Sequence, residues 1–163
     1  MLMVKRNFFV LLAFICLGHV ANVHADQQIL PGGCVKKALN PIISHEGLKR
    51  FELNGNALVG VATPSMGAEQ FEVWRTSWNV GCFTPKHTHE TEEIFVFIKG
   101  KGRVLIGDQE FFFEAPCTVI CPPGIEHQFF NAGDEPTDAI VILGSRSQIV
   151  DANQQEMKLP WRR

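Results

Sequence analysis

The chain has 163 residues, enough for one domain with a buried core. Its 15 Lys and Arg against 17 Asp and Glu leave it mildly acidic, and no basic stripe follows the N-terminus. Nucleic acid is therefore excluded as an expected partner, because phosphate neutralisation needs clustered cations.

Residues 1–25 read as a secretory signal peptide. Lys5 and Arg6 supply a short positive region, and Phe8 to Leu17 an apolar run too short to span a bilayer comfortably. Val23-His24-Ala25 fits a cleavage site, so the mature chain is expected to begin at Asp26. That product would be exported, to a periplasm or to the medium, with no membrane anchor left after cleavage. Residues 26–47 form an N-terminal arm, punctuated by Pro31-Gly32-Gly33 and Asn40-Pro41.

Four cysteines remain once Cys16 leaves with the leader: Cys34, Cys82, Cys117 and Cys121. An even count in an oxidising compartment permits disulfides, and four small buried hydrophobes are the equal alternative. Cys117 and Cys121 fall on one strand at a separation of about 13 Å, too far to bond to each other.

Residues 48–145 are expected to form the folded domain. Lys49 to Leu53 and Ala57 to Thr63 flank Asn54-Gly55, a hairpin signal because both turn positions tolerate positive φ. Further strands are expected at Phe71 to Val80, Phe83 to Thr88, Ile94 to Ile98, Arg103 to Ile106, Gln109 to Glu114, Thr118 to Cys121, His127 to Asn131 and Thr137 to Leu143. Many short strands at regular spacing, with turn signals between them, give an all-β sandwich or barrel. Residues 146–163 are left as a C-terminal tail. Ile94, Val96 and Ile98 alternate with Phe95 and Phe97, so that strand is apolar on both faces. The second apolar face needs cover, from the arm or from another subunit, and a homodimer is the expected state.

His87 and His89 are two residues apart, so a strand turns both to one side. Glu93 returns after a short turn, and His127 follows the rigid Pro122-Pro123-Gly124 turn. Imidazole and carboxylate together suit one divalent transition metal: Mn, Fe, Co, Ni, Cu or Zn. Four protein ligands would leave about two positions for water or substrate on a six-coordinate ion.

With these residues in order, the chain resembles the cupin superfamily, in its small single-domain form. Gly81, His87, His89, Glu93 and Gly100 fit the first motif, G-x5-H-x-H-x3-E-x6-G, without insertion or deletion. Pro122, Gly124, His127 and Asn131 fit the second, G-x5-P-x-G-x2-H-x3-N, with Pro116 at its leading glycine position. The resemblance implies a jelly-roll β-barrel with the metal held inside by His87, His89, Glu93 and His127.

Strand parity then extends the pocket. Phe83 shares the face of His87, Phe95 and Phe97 that of Glu93, and Phe129 that of His127. These are candidate substrate-binding residues in an aromatic, largely dry pocket. Arg75 joins them if Phe71, Val73, Arg75 and Ser77 face inward, where it would anchor a carboxylate. The alternative is a solvated Arg75 outside, with Trp74 and Trp78 on the inner face. No second acid or base stands near the ligands: Glu126 should face away from His127, and Glu90 and Glu92 lie on a turn. The expected chemistry is therefore the metal's own, on a small organic molecule. Among the reactions the resemblance implies, a dioxygenase-like oxidoreductase is favoured over a decarboxylase or isomerase, and the alternative is a non-catalytic binder of a carbohydrate, small acid or metal.

Overall fold

The computed structural model describes residues 41–162. The expected signal peptide, most of the arm, and Cys16 and Cys34 lie outside the described residues.

The first hairpin forms where the turn chemistry puts it. β1 (Phe51–Leu53) and β2 (Asn56–Ala62) pair across Asn54 and Gly55, whose φ angles are 51° and 77°. A 3-10 turn at Pro64–Met66 leads into β3 (Phe71–Trp78). There follow β4 (His87–His89), β5 (Glu93–Lys99), β6 (Lys101–Ile106), β7 (Gln109–Glu114), β8 (Cys117–Cys121), β9 (His127–Asn131), β10 (Thr137–Gly144) and β11 (Ile149–Asp151). The strands make two antiparallel sheets, ordered β1-β2-β3-β10-β5-β8 and β11-β4-β9-β6-β7. Non-sequential neighbours in both sheets are the crossovers of a jelly roll, so the expected all-β fold is present.

Two expectations change. The strand expected over Phe83 to Thr88 shrinks to β4, and Phe83 makes only an isolated bridge to Phe130. Pro85 interrupts that run and has no N–H to give a ladder. The tail is also not featureless. β11 pairs with β4, setting Ile149 opposite His89 and Asp151 opposite His87. The chain then doubles back, Met157 N–H donating to Ile149 O at 2.8 Å, and runs on to Trp161 and Arg162.

The core lies between the sheets and is largely aromatic. Trp78, Phe97 and Phe129 are fully buried. Phe97 stacks on Phe113 with ring centroids 4.0 Å apart, and Phe95 meets Phe129 at 4.1 Å. On β3 the inward residues are Glu72, Trp74, Thr76 and Trp78, all buried, so Val73, Arg75 and Ser77 face out. Cys117 and Cys121 sit on one side of β8 as free thiols, unbonded to each other as their strand spacing requires, and Cys82 is free as well.

The outer face of the six-stranded sheet is aliphatic. Val73, Ile142, Ile94 and Ile120 form one row across β3, β10, β5 and β8, with Ile140 and Val96 in the row beside it. Ile120, Ile98 and Phe71 are more than half exposed. The two-faced apolar pattern of β5 is thus real, one face lying in the core and the other on an open sheet.

Candidate metal centre

Each donor is placed by its strand. β4 turns His87 and His89 to the interior with Thr88 between them, a two-residue period that strand geometry imposes. The pairing of β4 with β9 sets His87 directly opposite His127. Glu93 opens β5 on the other sheet, opposite Cys121 of β8. Three imidazoles from one sheet and one carboxylate from the other therefore meet between the layers. All four residues are buried, and their donor atoms lie within 4.8 Å of one another.

One turn aims a donor, and a second ends the strand that carries another. Gly124, at φ 70°, closes the Pro122-Pro123-Gly124 turn, and its N–H donates to His89 O at 2.8 Å. That bond ties the turn carrying His127 to the strand carrying His89. Gly100, at φ 88°, ends β5; a Cβ there would lie 2.9 Å from the Thr137 backbone, so only glycine fits. Asn131, at the end of the second motif, has a structural role. Its amide donates to Trp78 O and Glu135 O, both at 2.9 Å, and accepts from Gly133 N–H. The Ala115–Pro116 peptide, in the turn where proline replaces the motif glycine, is cis.

The hydrogen bonds of the three rings decide what the site can hold. Nδ1 of His87 donates to Pro85 O at 2.8 Å, that of His89 to Thr91 O at 2.5 Å and that of His127 to Ile125 O at 3.0 Å. A carbonyl can only accept, so each Nδ1 carries the proton, and in the neutral ring Nε2 is left with its lone pair. All three Nε2 atoms converge on Glu93 Oε2, at 3.1 Å from His89 and His127 and 3.6 Å from His87. Three protonated rings would put three positive charges beside one carboxylate in a water-poor interior, which is costly. A divalent cation among three neutral imidazoles and a carboxylate satisfies every donor. Backbone-anchored imidazoles are how such ligands are held in orientation. The residues present fit one transition-metal ion.

Without metal, Glu93 partners rings that take up a second proton on Nε2. Burial alone would raise its pKa, but hydrogen bonds from His127, His87 and His89 outweigh it and hold the carboxyl well below its ordinary range. For His87, burial lowers the pKa, and the hydrogen bond and charge of Glu93 outweigh it, leaving a net rise above 6.5. Cys121 lies opposite Glu93 on β8 but outside the cluster of converging donors, and burial, with the Glu93 charge, pushes its thiol far up.

A cavity of about 120 Å³ opens beside the donors. His87, Glu93, Phe95, Trp74, Trp78 and Leu58 line one part of it. Of the expected substrate-binding residues, the structure brings Phe95 to this cavity. Phe97 and Phe129 face inward as parity requires, but they are packed in the closed core beneath it. Phe83 is 55% exposed and lies tilted against Phe130 outside the barrel, because the loop around Pro85 breaks its parity with His87. Arg75 also lies outside. Its guanidinium pairs with Asp138 across the β3–β10 register, so it is not a carboxylate anchor in this pocket. A larger surface hollow of about 310 Å³ lies around Arg75 and Asp138, with Arg50 and Lys99 at its sides, and contains none of the four donors. Glu126 pairs with Lys86 at the surface, and Glu90 and Glu92 are exposed, as expected of residues without a role at the site.

The sequence reading missed Asn56, Thr84, Ile149 and the stretch from Met157 to Pro160, all of which line the cavity. Met157, Leu159 and Trp161 alternate with polar or turn residues, a strand-like signal within the segment taken as a tail.

A family model described as a cupin domain matches residues 74–143. Auxin-binding protein T85 of Nicotiana tabacum is 30% identical over 113 residues, covering 63% of this chain and 57% of its own. The chain spans about half the length of the auxin-binding proteins it matches. Among solved structures, the polyketide cyclase RemF from Streptomyces resistomycificus aligns with a TM-score of 0.61 at 14% identity, over 68% of this chain and 84% of that one. An oxalate decarboxylase from Bacillus subtilis, described for its Mn(II) centers, aligns with a TM-score of 0.59 at 21% identity, over 64% of this chain and 30% of that one. At these identities the two structures speak for the fold alone.

The His87 shift sets opposite pH trends for the two forms of the protein. Without metal, a raised folded pKa contributes stability that is fully present below 6.5 and is lost as pH rises through the folded value. With metal bound, protons compete with the ion, so stability rises over the same interval. Denaturation midpoints measured from about pH 5 to about pH 8, on stripped and loaded protein, should therefore slope in opposite directions.

Proposed function

This chain is a cupin, and from that premise we propose that it holds one divalent transition metal on His87, His89, Glu93 and His127 and uses it on a small organic molecule bound in the adjoining cavity. The observation that carries the reading is the set of three Nδ1–H groups given to backbone carbonyls, which leaves three Nε2 lone pairs aimed at one point beside a carboxylate. A bound metal would supply Lewis-acid or redox chemistry. The chain supplies the rest. Phe95, Trp74, Trp78 and Leu58 keep water from the cavity, and the four donors fix where a ligand can approach.

Among the described residues lining the cavity, Lys158 is the one titratable group outside the donor set, and its side chain is 63% exposed. An exposed ammonium is a poor proton acceptor at neutral pH. The absence of a second buried acid or base in that lining favours metal-centred chemistry, and a dioxygenase-like oxidation is the reaction class we favour for it. The second reading is a binding protein, favoured by the same missing base and by the name of the auxin-binding relatives. Turnover of a candidate substrate that disappears in His87→Ala supports the first reading. Stoichiometric binding with no turnover supports the second.

Metal content by mass spectrometry of the recovered protein tests the centre. About one equivalent is expected, falling to background in a His87→Ala/His127→Ala variant. Folded protein that neither contains metal nor reloads would leave a metal-free barrel as the better reading. Iron, manganese, nickel or copper would direct the substrate search to redox and O2 chemistry, and zinc to Lewis-acid or binding roles.

Two further readings belong to the whole chain. We propose export, with Asp26 as the mature N-terminus, and a homodimer formed on the aliphatic outer sheet face. Sedimentation of the wild type should give a dimer and Ile94→Lys/Ile142→Lys a monomer. A wild-type monomer at working concentration would remove the dimer.

A further inference from the structure

Glu72 lies on the inner face of β3 and is completely buried. A carboxylate there needs partners, and both come from the far end of the chain. Trp161 Nε1 and Arg162 Nε each donate to it, at 2.7 Å. The seat for this C-terminal strap is built into the sheet. Gly60 sits opposite Trp74 on β2, and a Cβ at Gly60 would lie 3.2 Å from the Trp161 ring and 2.8 Å from Thr63. The indole of Trp161 packs on Trp74 and Phe51, at 5.7 and 6.4 Å between centroids. Between this latch and β11, Met157, Lys158, Leu159 and Pro160 line the cavity beside the donors.

The latch also reaches a donor residue through hydrogen bonds. Arg162 Nη1 donates to Ser147 O at 2.6 Å. Ser147 is buried, and its Oγ accepts from Thr91 N–H at 3.2 Å. Thr91 O in turn accepts the Nδ1–H of His89. Gly144 N–H holds the Thr91 hydroxyl at 3.2 Å, and a Cβ on Gly144 would clash with that side chain at 2.7 Å. One chain of contacts therefore runs from Glu72 through Arg162, Ser147 and Thr91 to His89.

We infer that Glu72 and Arg162 are positioning residues for the metal centre, and that the C-terminal strap they latch is a wall of the ligand cavity whose closure is coupled to metal binding. The inference rests on the metal reading above. Arg162 fixes Ser147, Ser147 fixes the turn at Thr91, and that turn sets the tautomer and angle of His89. Contacts that orient a metal-bound imidazole are worth about 10- to 100-fold in metal affinity. Coupling of this kind is reciprocal, so an ion that holds His89 also holds the strap.

Cobalt(II) is the probe, on the full chain. Wild type should bind it with d–d absorption bands of defined shape. Arg162→Leu and Glu72→Gln should each weaken binding about 10-fold or more and alter the bands, and the double variant should lose little beyond either single one. Arg162→Lys, which can reach Glu72 or Ser147 but not span both, should recover part of the loss. Independently of any variant, trypsin cleavage of wild type after Lys158 should slow several-fold when cobalt is added. Equal affinity and identical bands in wild type and Arg162→Leu would overturn the positioning role. A cleavage rate indifferent to cobalt would overturn the coupling, even if the variants fail to fold. Absence of cobalt binding by wild type would instead sink the metal reading, and the coupling with it.

Discussion

Three imidazole protons given to three backbone carbonyls are the constraint on which this molecule's site depends. Pro85 O, Thr91 O and Ile125 O each lie two residues from the histidine they hold. Each ring is thus fixed by the turn or strand end at its own root, and neither tautomer nor rotamer is free to relax. Nε2 must then point inward at all three positions, and Glu93 has to be the fourth corner because β5 begins with it on the opposite sheet. A site built this way is pre-organised by backbone, so its precision is that of the barrel.

That requirement explains how much of the site was legible in the sequence. The spacing of His87 and His89 is a strand period, and the glycines and prolines near them fix turns, so local chemistry drew notice to the donors and the resemblance to the cupin motifs made them a ligand set. Alternation and turn residues recurring every few positions made a sandwich or barrel legible, and the choice of a jelly-roll barrel came from the resemblance to the cupin motifs. Parity could not say which face of a strand is inner. For β3 it offered Arg75 or Trp74 and Trp78, and burial of the Trp78 indole against Phe95, Phe97 and Phe129 and of the Trp74 indole against Trp161 outweighs burial of one guanidinium. Phe83 failed for a different reason: Pro85 ends the pairing that parity assumes. The strap was missed because its value lies in contacts 89 and 90 residues away in sequence, those of Trp161 and Arg162 with Glu72, and no local pattern reports a partner so distant.

The aromatic core and the metal site divide the barrel between them. Phe97, Phe113 and Phe129 pack tightly beneath the donors, with centroids 4.0 to 6.1 Å apart, and Phe129 meets the His127 ring edge-on at 6.2 Å. Phe95 stands at the border, against Phe129 on one side and lining the cavity on the other. Interiors packed at this density deform little, so the closed half is a rigid floor. Any adjustment to a ligand has to come from the opposite wall, where the lining is Ile149, Met157, Leu159 and the loop at Thr84 and Pro85.

This asymmetry gives the buried Glu72 a reason to exist. An apolar residue at that position would pack β3 against β10 without the cost of burying a charge. A carboxylate stabilises the fold only while Trp161 and Arg162 complete its shell, and losing either leaves a buried acceptor unpaired. The strap is therefore held in one place by an all-or-none set of polar contacts, whereas a greasy contact would tolerate many placements. Specificity of position is what a cavity wall beside a metal needs. The cost of burying Glu72 is offset where the chain returns, at the one wall of the pocket that the packed aromatic floor cannot supply.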